Sequence, residues 1–140
     1  MVDLPLPVPS EDNQPFWDAL NAGELRIERC ARCGSLRHPP RPMCPHCHSF
    51  DAEWVRMSGR GTVYSYVVTH QPIHPAFAER VPFATVQVEL EEGPRLTSNL
   101  VDVPPGEITI GMPVEFAPTR ATDAITLPLF RASIEARATT

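Results

Sequence analysis

The sequence predicts a mainly β protein with one short helix near its N-terminal end, and three observations predict it. Residues 61–70 and 83–90 are rich in β-branched and aromatic side chains, and the second stretch alternates apolar with polar. Seventeen prolines among 140 residues cut the chain into short pieces and exclude long helices. Two Cys-x-x-Cys pairs, Cys30 with Cys33 and Cys44 with Cys47, stand ten residues apart and use all four cysteines.

Taken in order, residues 1–9 are proline-punctuated and read as an extended or disordered lead. Residues 10–22 read as one helix: Ser10, Asp12 or Asn13 caps it, Pro15 fits a first turn and Gly23 ends it. Phe16, Trp17 and Leu20 form an apolar stripe that must pack on something. Docking onto the chain's own domain and burial at a subunit interface, where Trp and Phe are favoured anchors, both stay open. Residues 25–30 alternate and form the strand leading into the first cysteine pair. Residues 36–43, with Pro39, Pro40 and Pro42, are a rigid link to the second pair, and residues 53–57 form the strand leading out.

The x-x spacing lets two thiolates hold one side of an ion, and two such knuckles complete a tetrahedron. The gap between the pairs is short for the usual template but long enough for a ribbon hairpin. Zinc suits an all-thiolate site, and four thiolates leave no open coordination position, so the expected role of Cys30, Cys33, Cys44 and Cys47 is structural. Two disulfides, a redox pair or a rubredoxin-like iron site are the rivals. No basic start followed by an apolar stretch opens the sequence, so no secretory signal is read, and no run approaches a membrane span. The cytoplasmic placement this implies keeps thiols reduced and favours metal. Gly34 permits a positive-φ turn behind the first pair; His48 holds the matching place, in a conformation His tolerates better than most residues. With four cysteines present, His38, His46 and His48 are expected as exposed loop residues.

In the second half, residues 83–90 place Val86, Val88 and Leu90 inward. A turn at 91–94 returns the chain as a hairpin partner over 95–101. Residues 104–106 break the chain, and 113–117 and 127–131 are the last strands. Five or so short strands between glycine and proline turns indicate a small closed barrel, and for this length an OB-fold. The expected division is an extension and helix at 1–24, a zinc ribbon at 25–57, an OB-fold at 58–133 and a tail at 134–140. The metal stabilises the part too small to bury a core of its own.

Net charge is −5 and the isoelectric point is near 5.5, which argues against a general polyanion binder. All twelve basic residues are arginine. Arg26, Arg29, Arg32, Arg37 and Arg41 gather around the first knuckle, where they are expected to offset the negative charge of four thiolates on a dication. Tyr64 and Tyr66 lack the flanking basic residues of a nucleic-acid surface, though a nucleic-acid-binding module remains the alternative. No catalytic constellation is present: the cysteines are committed to metal, and no nucleophile elbow, phosphate loop or His-Glu-x-x-His occurs. The segment 70–82 carries His70, His74, Phe77, Glu79 and Arg80; at thirteen residues it is long enough to contact a partner or ligand, or it is an ordinary surface loop.

One series of residues carries a specific resemblance. It runs Phe16-Trp17, Arg29-Cys30-x-x-Cys33-Gly34, Pro39-Pro40-Arg41, Cys44-Pro45-x-Cys47 and Trp54. It continues with Ser58-Gly59-x-Gly61-x-Val63-Tyr64-Ser65, Pro82-Phe83, Val88-Glu89-Leu90, Gly93-x-Arg95, Ile110-Gly111-Met112-Pro113-Val114 and Leu127-Pro128-x-Phe130-Arg131. Over residues 15–131 the chain resembles the acyl-CoA-associated OB-fold proteins with an N-terminal rubredoxin-like zinc ribbon (domain of unknown function 35). His48, in place of the ribbon's second glycine, is the main departure.

The resemblance implies an accessory subunit that pairs with a thiolase-superfamily enzyme acting on acyl-CoA. The first expectation is a retro-aldol lyase of steroid side-chain breakdown, and a thiolase or acyl-CoA acyltransferase is the second. The partner supplies the chemistry in a cytoplasmic hetero-oligomer, with neither nucleic acid nor membrane involved. Phe16, Trp17, His70, His74, Phe77 and Arg80 are the residues expected to meet partner or substrate.

Overall fold

The structure is a computed structural model that describes residues 6–72 and 74–133. The expected tail and the first five residues of the lead lie outside the described residues; residues 6–9 carry no regular structure. The helix α1 spans Gln14–Asn21, starting later than the capping residues suggest. Asn13 stands at the N-cap, but its Oδ1 accepts the Ser10 N–H at 2.6 Å instead of capping the helix. At the other end Gly23, at φ +81°, closes a Schellman turn. The Gly23 N–H donates to the Leu20 carbonyl and the Glu24 N–H to that of Ala19, both at 2.9 Å.

The first sheet is the ribbon. It places β1 (Arg26–Cys30) between β2 (Leu36–Arg37) and β3 (Ala52–Arg56), all antiparallel. The segment expected as a rigid link thus begins with two ladder residues, Arg37 opposite Glu28 and Leu36 opposite Arg29. The chain runs from β3 into β4 (Arg60–Thr69) through a bonded seam. The Met57 N–H donates to the Leu25 carbonyl of the ribbon, and the Phe116 N–H donates to the Gly59 carbonyl, both at 2.7 Å.

The second sheet contains β4, β5 (Phe83–Leu90), β6 (Arg95–Ser98), β7 (Leu100–Val101), β8 (Pro113–Phe116) and, after a small hairpin, the last strand. That hairpin pairs β9 (Thr119–Arg120) with β10 (Thr126–Leu127), and the last strand is β11 (Phe130–Ala132). The six-strand order is β6-β5-β4-β8-β11-β7. Its two ends, β6 and β7, are separated only by Asn99, so a single kinked strand carries both edges. The Asn99 side chain donates to the Ala84 carbonyl at 2.7 Å, while its own carbonyl accepts the Phe130 N–H at 3.1 Å. The sheet therefore curls round through one bent strand rather than through a ladder between two separate edge strands. Counting β6 and β7 as one, five strands build the barrel, as the residue pattern predicts.

The core follows the alternation of β5. Val86, Val88 and Leu90 are buried and pack with Val63, Leu96, Val114 and Phe130. Gly61 allows β5 to approach, since a Cβ there would sit 2.5 Å from the Glu89 carbonyl oxygen. The stretch expected as one strand at 127–131 is split, because the chain must leave the β9–β10 hairpin before Phe130 can enter the core. Neither that hairpin nor the kink is visible in local periodicity.

The hairpin β4–β5 extends past the barrel. β8 pairs with β4 only at Arg60, Gly61 and Thr62, and β6 pairs with β5 only from Val86 to Glu89. Among the described residues, the pairs Val67↔Thr85, Val68↔Ala84 and Thr69↔Phe83 have no third strand in ladder with them, though the Asn99 side chain reaches the Ala84 carbonyl, and they form a two-stranded arm. The loop 70–82 sits at its tip.

Candidate metal centre

The four cysteines converge. Their Sγ atoms all lie within 4.8 Å of one another, with Cys30 to Cys47 at 3.4 Å and Cys33 to Cys44 at 3.6 Å. All four thiols are free. Four sulfurs at ~2.3 Å from one ion would be spaced by about 3.8 Å, which falls between the shortest separation here, 3.4 Å, and the 4.8 Å that bounds them all. The two knuckles repeat one backbone pattern. The Cys30 N–H donates to the Ser35 carbonyl and the Gly34 N–H to that of Cys30. In the second knuckle the Cys44 N–H donates to Ser49, and the His48 N–H to Cys44. Gly34 at φ +79° and His48 at φ +64° occupy matching places, as expected for His48 in spite of its side chain.

Backbone N–H groups point at sulfur: Cys33 donates to the Cys30 Sγ and His46 to the Cys44 Sγ, each at 3.4 Å. The N–H group of Cys47, the Ser35 hydroxyl and the His46 N–H hold Cys44 down to about 5, which favours its thiolate. Cys30 is lowered as well, chiefly by the Cys33 N–H. At Cys47 the Ser49 N–H pulls the same way, but the Cys30 sulfur and burial outweigh it and raise the thiol to about 11. A cation held among the four sulfurs would ionise all of them. The donor set fits zinc.

The histidines and arginines divide. His46 and His48 are exposed, as expected. His38 is not: its ring packs on Phe16 with centroids 5.2 Å apart, and its Nδ1 is buried without a partner. Burial alone lowers its pKa below the usual 6.5. The arginines do not chiefly answer the thiolates. Arg29 pairs with Glu53 and Arg37 with Glu28, because adjacent strands of the ribbon bring those carboxylates opposite them, while Arg26 pairs with Glu24 two residues earlier in the chain. The Arg37–Glu28 pair, 2.5 Å from Nε to Oε1, is buried, and no sequence motif announces it. Glu28 also accepts the Arg41 N–H at 2.9 Å, which fastens the loop after β2 to the ribbon.

The other expected contact residues are scattered. Phe16 is 5% exposed and belongs to the core, and Trp17 is half-buried against it, so the chain's own fold takes up the Phe16 ring and part of Trp17. His70 and Arg80 are exposed in the loop at the arm's tip. His74 is half-buried, and its Nδ1 accepts the Ala76 N–H at 3.0 Å, capping the turn Pro75–Phe77. The side chain of Phe77 lies outside what the structure describes.

Comparison with known families matches two adjoining models. Residues 17–53 match the rubredoxin-like zinc ribbon domain of ChsH2, and residues 54–118 match the C-terminal OB-fold domain of ChsH2. A solved structure described as "Ltp2-ChsH2(DUF35) aldolase" superimposes with a TM-score of 0.84 at 47% identity, covering 92% of this chain and all of that one. The chain belongs to the ChsH2 (DUF35) family. A relative from Thermomonospora curvata, a probable enoyl-CoA hydratase alpha subunit, is 48% identical over 93% of this chain and 40% of its own length. The 3-oxo-4,17-pregnadiene-20-carboxyl-CoA hydratase alpha subunit of Mycobacterium tuberculosis is 48% identical over 77% of this chain and 34% of its own length. This ChsH2-type chain therefore spans well under half of both curated relatives. Among its described residues no helix is long and apolar enough to cross a membrane.

Proposed function

We propose that this protein is a non-catalytic, cytoplasmic subunit of a heteromeric aldolase, and that its thiolase-like partner cleaves a steroid side-chain CoA thioester by retro-aldol chemistry. The observation that carries the reading is the likeness to the ChsH2(DUF35) chain of an aldolase complex, which extends over the whole of that chain. The pregnadiene-carboxyl-CoA named for the Mycobacterium tuberculosis relative supports a steroid CoA thioester as the substrate class.

The chain's own residues have a scaffolding part. Cys30, Cys33, Cys44 and Cys47 would hold zinc, which supplies a cross-link between the two knuckles and offers no open position for substrate. Around it, the Glu28–Arg37 pair fixes the loop after β2, and the bonded seam from Met57 to Gly59 carries the ribbon's orientation into the barrel. The arm carries the loop 70–82 at its tip, and His70, His74, Phe77 and Arg80 are the residues there proposed to meet a neighbouring subunit.

The test is co-expression with a thiolase-like subunit. The pair should co-purify and release a ketone and a shortened acyl-CoA from a β-hydroxyacyl-CoA, while this chain alone should turn over nothing. His74→Ala should leave assembly intact and lower the rate. Turnover by the isolated chain would overturn the reading, and acyl transfer without carbon–carbon cleavage would redirect it to an acyltransferase complex.

A further inference from the structure

The seam between α1 and the ribbon has an unusual concentration of unsatisfied nitrogen. Among the described residues, the buried side-chain polar atoms with no hydrogen-bond partner are Trp17 Nε1, Arg37 Nη1 and His38 Nδ1. Trp17 lies on α1, Arg37 ends β2 and His38 follows it directly. Phe16 joins them, with its ring 5.4 Å from that of Trp17 and 5.2 Å from that of His38. Buried polar groups are almost always paired in native proteins, so the unpaired nitrogens of His38 and Trp17, whose rings flank Phe16, mark a seam that gains hydrogen bonds when water enters.

We propose that this seam is a proton-operated latch, with His38 as its sensor and the Phe16–Trp17 face of α1 as the surface it covers. Neutral His38 packs at a tilt against Phe16 and holds the helix down. A proton adds a charge that the closed seam cannot solvate and no carboxylate there can answer. From β1 the facing acid is Glu28, already engaged by Arg37 and by the Arg41 N–H. From β2 and the following loop come only the cations Arg37 and Arg41. On α1, the Asp18 carboxylate is exposed and accepts from Gln14. Protonation therefore favours the open state, in which His38, Trp17 and Arg37 all reach water. The helix need not leave the protein, because Leu20 stays buried at its far end and the Asn21 side chain donates to the Ala124 carbonyl at 3.0 Å. Opening would present the buried Phe16 ring and more of the half-buried Trp17.

The burial of neutral His38 fixes the sign. Its folded pKa lies below the usual 6.5, so the closed seam is fully favoured above that value and loses ground as pH falls through the window beneath it. The test uses the zinc-loaded full chain carrying Trp54→Phe, so that Trp17 alone reports. Between pH 7.5 and 5.5, emission should shift to the red and become more accessible to acrylamide, with zinc content unchanged at each point. His38→Phe, which keeps a ring against Phe16, should abolish the transition. Proton NMR of the His38 ring in the unsubstituted chain should give the same midpoint as the emission change. A transition that survives in His38→Phe, that tracks zinc loss, or whose midpoint differs from that of the His38 ring would overturn the latch. So would the absence of any transition while His38 titrates.

Discussion

Removing the Glu28 carboxylate should be the most damaging single change in the ribbon outside its cysteines. Its side chain is 9% exposed and that of Arg37 is 7% exposed, so neither charge has water to fall back on. Glu28 Oε1 accepts from Arg37 Nε and from the Arg41 N–H, while Arg37 Nη2 donates to the Arg41 carbonyl at 3.0 Å. Glu28→Ala leaves a buried guanidinium uncompensated, at a cost of about 3–5 kcal/mol. At 2–4 °C per kcal/mol for a chain somewhat larger than this one, that lowers the melting temperature by about 6–20 °C. Calorimetry of the zinc-loaded protein at neutral pH reads it directly. The double variant Glu28→Leu with Arg37→Met removes both charges and should recover most of the loss, since an apolar pair of similar volume often matches a buried ion pair. A single variant that melts within about 3 °C of the parent, or a double variant no better than the single, would refute the argument that an uncompensated buried charge is the cause.

Three further outcomes follow from the geometry. The purified chain should hold about one zinc and be colourless, and Cys30→Ser or Cys47→Ser should lose both the metal and the ribbon's ordered amide signals; thiolate-to-iron absorption in place of zinc would contradict this. Gly61→Ala should cost about 1–3 kcal/mol in chemical denaturation, because its Cβ would lie 2.5 Å from the Glu89 carbonyl oxygen and 2.9 Å from Val88 Cγ1. The Arg60 guanidinium, with the Ser58 hydroxyl, holds the Glu91 carboxyl below its usual 4.5. Its stabilising contribution should be complete above that pH and lost as acid passes through the folded value, so Glu91→Gln should flatten the acid limb of stability against pH.

The sequence by itself determined what depends on neighbours along the chain. The Cys-x-x-Cys spacing and the positions of Gly34 and His48 specify two like turns, because each turn closes within six residues, as in Cys30 N–H to the Ser35 carbonyl. Alternation over 83–90 specifies both the strand and the inward faces of Val86, Val88 and Leu90, since side chains of a strand change sides at every residue. Tertiary structure decided what depends on residues far apart. Phe16 and Trp17 have one apolar pattern whether they face a partner or the chain's own ribbon, and the folded core with His38 against it is what takes the Phe16 ring in. The strand over 95–101 reads as continuous, yet Asn99 bends it because its side chain is held by Ala84 and its carbonyl by Phe130. Glu28 and Arg37 look like two ordinary surface charges until the antiparallel register of β1 and β2 sets them opposite each other in a buried place. The contact that ties the helix to the β9–β10 hairpin, Asn21 to Ala124, spans 103 residues, a separation over which no local pattern carries information.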